Sequence, residues 1–238
     1  KLALAKPSLG IEVSNSQMKE SNYFSAERRV VIPNGLDVPV EEFSHENSEG
    51  MRKRILFIAG LRRSKGVLDI IETARKIREK RSDFIIDIAG SWQEPETEAL
   101  FKSEISKYKL EDFIMLHGRV AGDDKWKLYS LADIFFFPSY YESENFPLVL
   151  IEAMAFGLPI VSTKWRGIPE MVENNHSGIL CEVEKCDEFA QAIYNLMENQ
   201  DIYKKMSEEA RDLYIKKYTQ RVFLDSMSKA FDSVTQKS

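Results

Sequence analysis

One charged residue lies inside a long apolar stretch of the sequence. The stretch, SENFPLVLIEAMAFGLPIV at residues 143–161, contains Glu152 in its interior. Removing an ionised carboxylate from water without partners costs on the order of several kcal/mol, so this position is expected to bind something. A carboxylate accepts hydrogen bonds from two donors at once, and a ribose diol presents two adjacent hydroxyls. Glu152 is therefore a candidate ribose-binding residue, and the alternative is a structural ion pair with a lysine or arginine elsewhere.

A cluster of basic residues occurs in the sequence GLRRSKG at residues 60–66. Arg62, Arg63 and Lys65 precede a helix that is predicted to open near Gly66. The amino end of a helix presents unpaired backbone N–H groups and a positive dipole, which together with these side chains predict an anion site. The alternative is a basic loop that only contacts water. The loop lacks the G-x-G-x-x-G fingerprint of dinucleotide-binding folds and the lysine motif of P-loops.

These candidates need a scaffold, and from residue 55 onward short apolar runs alternate with segments of helical period. Six such strand–helix units predict an α/β fold with a doubly wound, parallel, six-stranded sheet of the Rossmann-like class. The predicted strands are residues 55–60, 84–90, 113–118, 133–139, 159–163 and 178–183. The predicted helices are residues 67–80, 94–109, 123–132, 147–156, 167–174, 187–200, 201–218 and 220–234.

In an open parallel sheet, ligands bind outside the carboxyl ends of the strands, so the loops there should hold the site. Pro147 suits the first position of a helix, which puts Glu144 just before a helix whose amino end faces the crevice. Glu152 then lies about a turn and a half inside that helix. A further helix starts behind Gly167, and we expect its backbone N–H groups to face the same edge. Trp165 is expected in core or rim packing rather than as a stacking platform.

The composition of the chain argues against several classes of protein function. The chain has 238 residues with 33 basic and 38 acidic side chains, and its net charge of −5 argues against a general nucleic-acid binder. No apolar run reaches the length of a membrane-spanning helix, so we expect a cytoplasmic protein. Cys181 and Cys186 have the spacing neither of a zinc site nor of a redox pair, and we interpret them as reduced thiols. The three histidines share no helical spacing, and no metal site is predicted.

A set of motifs in a fixed order resembles a known enzyme family. The motifs are VIPNGLD, the KG pair after the first strand, LHGRV, LADIFFFPS and ENFPLVLIE, in which seven residues separate two glutamates. From Val31 to Leu180 they resemble the retaining glycosyltransferases of the GT-B fold, also called group 1. The resemblance implies two Rossmann-like domains that face each other across a cleft, of which this chain is similar to the carboxyl-terminal, donor-binding one.

The resemblance also implies a division of the chain. Residues 1–50 are expected to be a remnant of the amino-terminal domain and the interdomain linker, in which NGLD is open to interpretation as a hairpin turn. Residues 51–217 are expected to be the nucleotide-sugar-binding domain, and residues 218–238 a helix that crosses back toward the amino-terminal domain. The acceptor-binding half is expected to be missing from this chain, so we expect donor binding without sugar transfer.

Carried over by position, the resemblance assigns roles to residues of this sequence. Glu144 is implied to touch hydroxyls of the donor sugar, and Glu152 to hold the ribose. Lys65 is implied to neutralise the donor phosphates, and residues 118–120 to lie against the base. Glu144 and Lys65 are the implied catalytic residues. The donor-binding set is Arg62, Lys65, Gly118, Arg119, Val120, Glu144, Asn145, Phe146, Leu148 and Glu152.

Two positions depart from the family pattern. Gly60 stands where the family has a phosphate-binding arginine, and Arg62 or Arg63 is the expected substitute. Pro147 stands where the family has a glycine, and it removes a backbone N–H that the family can aim at the donor. Contacts with the sugar are therefore expected to differ in detail.

The implied function is retaining transfer of a sugar from a nucleoside-diphosphate sugar to a saccharide or lipid-linked acceptor, in the synthesis of bacterial surface polysaccharide. Positive charge at the departing diphosphate stabilises the transition state, without a required nucleophile, metal or further cofactor. Peripheral contact with the inner face of the membrane stays open for the full protein. The alternatives are a nucleotide-sugar-binding module without catalysis, and an epimerase or phosphorylase built on the same fold.

Overall fold

A computed structural model describes residues 8–16, 29–43 and 52–235 of the chain. Its centre is a six-stranded sheet in which all neighbouring strands are parallel, in the order β5-β4-β3-β6-β7-β8. The strands of this sheet are β3 (Lys53–Ile58), β4 (Phe84–Ala89), β5 (Ile114–Gly118), β6 (Ile134–Phe137), β7 (Ile160–Thr163) and β8 (Gly178–Cys181). The predicted doubly wound, parallel, six-stranded sheet is confirmed.

The helices follow the predicted segments, with two differences. They are α1 (Val67–Arg78), α2 (Pro95–Tyr108), α3 (Asp123–Leu131), α4 (Leu148–Ala155), α5 (Ile168–Met171), α6 (Cys186–Glu198), α7 (Gln200–Leu213) and α8 (Gln220–Thr235). α5 is only four residues long because Val172, with φ −101° and ψ 116°, is already extended. α7 ends at Leu213 and is followed by a π-helical turn, Tyr214–Tyr218, where one continuous helix was predicted.

The core forms around the two central strands, β3 and β6. Phe135, Phe136 and Phe137 of β6 are all buried, as are Ile55 and Phe57 of β3. Burying such a side chain contributes roughly 1.5–3 kcal/mol relative to leaving it exposed, and only a sheet covered on both faces can bury consecutive residues of one strand. This explains why these strands read as unbroken apolar runs in the sequence.

Two short strands precede the main sheet and pair with each other. They are β1 (Gly10–Glu12) and β2 (Arg29–Val31), which lie parallel with Ile11 opposite Val30. The chain after β1 contacts α5, because the Glu170 carboxylate accepts hydrogen bonds from the backbone N–H of Asn15 at 2.7 Å and of Ser16 at 2.6 Å. The side chains of Asn15 and Ser16 donate to the same carboxylate. Glu170 therefore fastens the segment after β1 to the main sheet unit.

The NGLD segment is not a hairpin turn. Leu36 pairs with Thr219, and its N–H donates to the Tyr218 carbonyl at 2.9 Å. Its carbonyl accepts from the Gln220 N–H at 3.1 Å and from the Tyr214 hydroxyl at 3.1 Å. The segment thus joins the π-helical turn to the start of α8. No helix among residues 8–16, 29–43 and 52–235 is both long and apolar enough to cross a membrane.

Gly35→Ala is expected to destabilise the protein by about 1–3 kcal/mol, the range for overpacking. The added Cβ would overlap the Thr219 carbonyl oxygen and lie 2.7 Å from the Phe223 Cβ, so the segment could not stay against α8. Urea unfolding followed by circular dichroism measures the change. Gly60→Ala is the matched control, because its Cβ would meet the movable end of the exposed Gln93 side chain. Equal losses in the two variants would contradict this account.

Glu170→Ala is expected to speed amide hydrogen exchange at Asn15 and Ser16, because their N–H groups lose their acceptor. Burial alone would raise the pKa of Glu170, but the hydrogen bonds from Ser16 and Asn15 outweigh it and lower the pKa below its usual value of 4.5. A lowered pKa means that the stabilisation is present above pH 4.5 and is lost as the pH falls through the lowered pKa. The difference in stability between wild type and variant should therefore shrink in acid.

Glu173→Ala serves as the control for this prediction. Glu173 lies three residues away on the same segment and pairs with Lys217 at 2.8 Å. Its removal should leave the exchange of Asn15 and Ser16 unchanged. Faster exchange in both variants would mean that Glu170 has no specific role in holding residues 13–16.

Candidate functional site

The direction of chain progression reverses between β3 and β6, and the loops after these two strands interlock there. The Tyr140 N–H donates to the Ser64 carbonyl at 2.8 Å. Gly66, with φ +76°, packs so closely that a Cβ would lie 2.7 Å from the Pro138 ring and overlap its carbonyl oxygen. Only glycine adopts this conformation at this distance without strain. The crevice at such a reversal is where open α/β sheets bind ligands.

The basic loop lies at this crevice, and α1 opens directly behind Gly66 as predicted. A 3₁₀ turn, Arg63–Lys65, precedes that glycine. The backbone N–H of Arg63 donates to a Glu94 carboxylate oxygen at 2.9 Å, and the Arg63 side chain is exposed. Lys65 instead turns inward, with 17% of its side chain exposed. The loop therefore turns Lys65 inward at the amino end of α1 and leaves the Arg63 side chain in solvent.

Lys65 and Glu144, the two predicted catalytic residues, are in direct contact. One carboxylate oxygen of Glu144 accepts hydrogen bonds from the Lys65 ammonium and from the Ser139 hydroxyl, the latter at 2.6 Å. Only 8% of the Glu144 side chain is exposed. The lysine comes from the loop after β3, and the glutamate and serine come from the loop after β6. The fold thus places a charged, largely desolvated pair at the crevice.

The ring of Tyr141 contacts two cations beside the Lys65–Glu144 pair. The Lys65 ammonium lies 4.8 Å from the centroid of the Tyr141 ring, and the Arg62 guanidinium carbon lies 5.0 Å from it. The Trp165 indole N–H donates to the Tyr141 carbonyl at 2.8 Å, which holds the loop in place and confirms the predicted rim packing of Trp165. Tyr141 and Ser139 were not predicted as site residues, although their position directly after β6 was an available signal.

The space beside Gly60 is filled by another side chain. A Cβ at Gly60 would lie 2.7 Å from the Gln93 amide carbon, so a larger residue there would displace Gln93. Of the two expected substitutes for the family arginine, Arg62 is the better placed, because it lies over Tyr141 beside Lys65. The Arg62 Nε atom is buried and has no hydrogen-bond partner in the described part of the chain.

Glu152 has partners within the protein. Its Oε1 atom lies 2.8 Å from the Lys125 ammonium, and its Oε2 atom accepts from the Tyr129 hydroxyl at 2.8 Å. The ion pair considered as the alternative is therefore present, and ribose binding by Glu152 stays a prediction. Burial, followed by the charge and hydrogen bond of Glu152, raises the pKa of Tyr129 well above its usual value. The tyrosine thus stays a hydrogen-bond donor to the carboxylate across the physiological range.

One of the two expectations about helix starts is wrong. Pro147 is not the first residue of α4, because its ψ of 109° is extended and the helix begins at Leu148. The helix expected behind Gly167 is present as α5, and the backbone N–H of Gly167 donates to the Glu144 carbonyl at 3.3 Å. A Cβ at Gly167 would overlap the Asn145 carbonyl oxygen and lie 2.7 Å from its carbon. Gly167 therefore supports the loop that carries Glu144.

The other predicted donor-binding residues lie around the same edge, with different surroundings. Gly118, with φ +66°, ends β5, and no atom of residues 8–16, 29–43 or 52–235 lies within 4 Å of its Cβ position. Arg119 is exposed and Val120 is half-buried against the core. Phe146 packs edge-on against Tyr218, with ring centroids 6.1 Å apart. Leu148 is exposed.

Cavities also lie away from the contact of Lys65 with Glu144. A cavity of about 640 Å³ between α1, β8 and α6 is lined by Lys76, Lys80 and Tyr194 among others, and by none of the predicted site residues. A smaller cavity of about 270 Å³ lies between the segment after β1 and Phe146, with Glu170 in its wall. The second cavity adjoins the Glu144 loop.

Comparison with known proteins places this geometry in a family. The chain is 32% identical over 160 residues to an uncharacterised glycosyltransferase of Haemophilus influenzae, covering 67% of this chain and 43% of that protein. It is 37% identical over 131 residues to the amylovoran biosynthesis glycosyltransferase AmsK of Erwinia amylovora, covering 53% of this chain and 31% of that protein. The chain thus spans less than half of the length of these curated relatives.

Solved structures share the fold. The crystal structure of Anabaena HepE in complex with UDP and glucose superposes with a TM-score of 0.82 at 20% identity, over 95% of this chain and 63% of that one. The family model of the glycosyl transferases group 1 matches residues 40–213, which is more than half of the chain. This match includes both lysine–glutamate pairs and the loops that hold them. The chain therefore belongs to the group 1 glycosyltransferase family.

Proposed function

We propose that this chain binds a nucleoside-diphosphate sugar at the crevice between β3 and β6. It thereby takes part in transfer of the sugar, with retention of the anomeric configuration, to a saccharide or lipid-linked acceptor. The observation that carries the proposal is the contact of Lys65, Glu144 and Ser139 at the amino end of α1. That arrangement offers positive charge for a diphosphate next to a carboxylate for sugar hydroxyls. The relative named for amylovoran biosynthesis supports a role in bacterial surface polysaccharide synthesis, and the complex of HepE with UDP and glucose supports a nucleoside-diphosphate sugar as the donor.

The proposed chemistry is electrostatic. As the glycosidic bond to the diphosphate breaks, negative charge grows on the leaving group and the anomeric carbon becomes oxocarbenium-like. Lys65, Arg62 and the N–H groups at the start of α1 stabilise the leaving group, because fixed donors are most effective in a site of low dielectric constant. The proposal assigns this role to protein groups, with no metal ion or further cofactor.

Glu144 has two competing partners in this mechanism. A diphosphate attracts the Lys65 ammonium away from the carboxylate, and the carboxylate then becomes an acceptor for hydroxyls of the donor sugar. Phosphate binding and sugar recognition are thereby coupled through a single lysine. The Ser139 hydroxyl, which also contacts Glu144, keeps the carboxylate oriented during the exchange.

We further propose the division into residues 1–50, 51–217 and 218–238, with an acceptor-binding domain that precedes this chain. Parallel sheets occur almost only as extended, covered sheets, so the two-stranded β1–β2 pair fits as the edge of a larger one. α8 lies beside it, because Val30 and Ile32 line one cavity with Ser226 and Ala230. The donor half would work on the cytoplasmic side, with membrane contact supplied by the rest of the protein.

Lys65→Ala and Glu144→Gln should change diphosphate binding in opposite directions. Loss of the cation should weaken a nucleoside diphosphate by about 1.5–3 kcal/mol, the range for hydrogen bonds to charged groups, and leave the nucleoside unaffected. Loss of the competing carboxylate should strengthen the diphosphate. Calorimetry with UDP, GDP and ADP gives both values. Lys164→Ala is the control, since Lys164 is exposed after β7 and pairs with Glu182. Weaker binding in both site variants would refute the competition.

The isolated chain is expected to bind its donor and to transfer no sugar, with slow hydrolysis of the donor as the most that occurs. The donor-binding half alone cannot hold donor and acceptor together. The rate advantage of holding them together, an effective molarity on the order of 10⁵ M or more, is then lost. The assay incubates the chain with the best-binding nucleotide sugar and lipid-linked or free sugar acceptors, with and without EDTA, and follows product by mass spectrometry. Robust transfer would show a complete enzyme, and absence of any nucleotide binding would refute the proposed function.

A further inference from the structure

Glu152 is held by two residues of one neighbouring helix. Lys125 is the third residue of α3 and Glu152 the fifth of α4, and both helices begin at the carboxyl edge of the sheet. The ion pair therefore lies within about a turn and a half of the proposed donor crevice. Tyr129, one turn further along α3, contacts the same carboxylate from the core side, where it packs against Phe135 and Phe156.

These partners occupy only half of the acceptor positions of the Glu152 carboxylate. An ionised carboxylate has about four acceptor positions, two on each oxygen. Lys125 occupies one position on Oε1, and Tyr129 occupies one on Oε2. The described residues leave one position on each oxygen, and 11% of the Glu152 side chain is exposed. Two adjacent acceptor positions beside a small opening to solvent are suited to bind two adjacent hydroxyls.

Lys125 is itself restrained. Its ammonium lies 3.9 Å from the centroid of the Trp126 ring, and Trp126 packs against Tyr129 and Phe156. A lysine held between a ring and a carboxylate has little rotamer freedom left, and it supplies the opposite charge that compensates a buried carboxylate. The ion pair therefore fixes the orientation of the Glu152 carboxylate.

We propose that Lys125 is a positioning residue for ribose recognition: with Tyr129 it holds the Glu152 carboxylate so that the two remaining acceptor positions face the 2′ and 3′ hydroxyls of the nucleotide. This inference rests on the proposed function. The opposite possibility is that the ion pair competes with the nucleotide and has to break before ribose binds. The two roles predict opposite effects of removing Lys125. If Lys125 positions Glu152, its removal weakens ribose recognition, and if the ion pair competes with the nucleotide, its removal strengthens it.

The test compares ribonucleoside diphosphates with their 2′-deoxy analogues by calorimetry. We expect the wild-type protein to prefer the ribonucleotide by about tenfold or more, the ratio for one hydrogen bond to a charged group. Glu152→Gln should remove most of this preference by weakening the ribonucleotide alone. Lys125→Met should reduce the preference to within about twofold with little change for the deoxy analogue, and Lys125→Arg should restore part of it. A merely structural role would instead weaken both nucleotides equally.

Tyr129→Phe provides a second variant if Lys125→Met does not fold, because it removes one hydroxyl and keeps the buried ring. It should lower the preference as well, and an unchanged preference would overturn the inference. Tighter ribonucleotide binding by Lys125→Met, or a preference equal to wild type, also overturns it. If wild type binds nucleoside diphosphates without preference for the ribose, the inference fails and the proposed function stands. If it binds none, both fail.

Discussion

The approach of the β3 and β6 loops is the constraint on which the site depends. Gly66 packs against the backbone of Pro138, and the Tyr140 N–H bonds the Ser64 carbonyl, so the two loops have one relative position. This position brings Lys65 and Glu144 into contact although they are 79 residues apart in the sequence. A larger residue at Gly66 would separate the loops, and the pair would be lost with them.

The two glutamates of the ENFPLVLIE motif have the same kinds of partner in the fold. Glu144 pairs with Lys65 from the β3–α1 unit, and Glu152 pairs with Lys125 from the β5–α3 unit. Each buried carboxylate also accepts from a neutral hydroxyl, of Ser139 or of Tyr129. Buried ion pairs contribute little net stability, but removal of one partner leaves an uncompensated charge that is strongly destabilising. The β6–α4 unit thus joins its neighbours through charges that also lie at the crevice.

The sequence predicted the scaffold well because its signals are local. Runs such as IFFF and the helical spacing of apolar residues identify each strand and helix without knowledge of the partners. The pairing of Glu152 with Lys125 was not predictable, since 27 residues separate them and many lysines were available. The end of α5 and the π-helical turn were missed for a related reason: tertiary contacts at Val172 and Leu36 override local helical preference. The family resemblance named both Glu144 and Lys65 as catalytic residues, but their contact was not predicted, since 79 residues separate them.

A continuous series of contacts joins the amino-terminal segment to the crevice. Asn15 and Ser16 donate to Glu170 on α5, and α5 begins behind Gly167, whose amide bonds the Glu144 carbonyl. Gly167 has no room for a side chain because the Asn145 carbonyl lies against it. The loop that carries Glu144 is therefore supported on one side by Gly66 and Ser64 and on the other by α5 and the segment docked on it. Residues far from the family motif in sequence thus take part in fixing the carboxylate on which sugar recognition is proposed to depend.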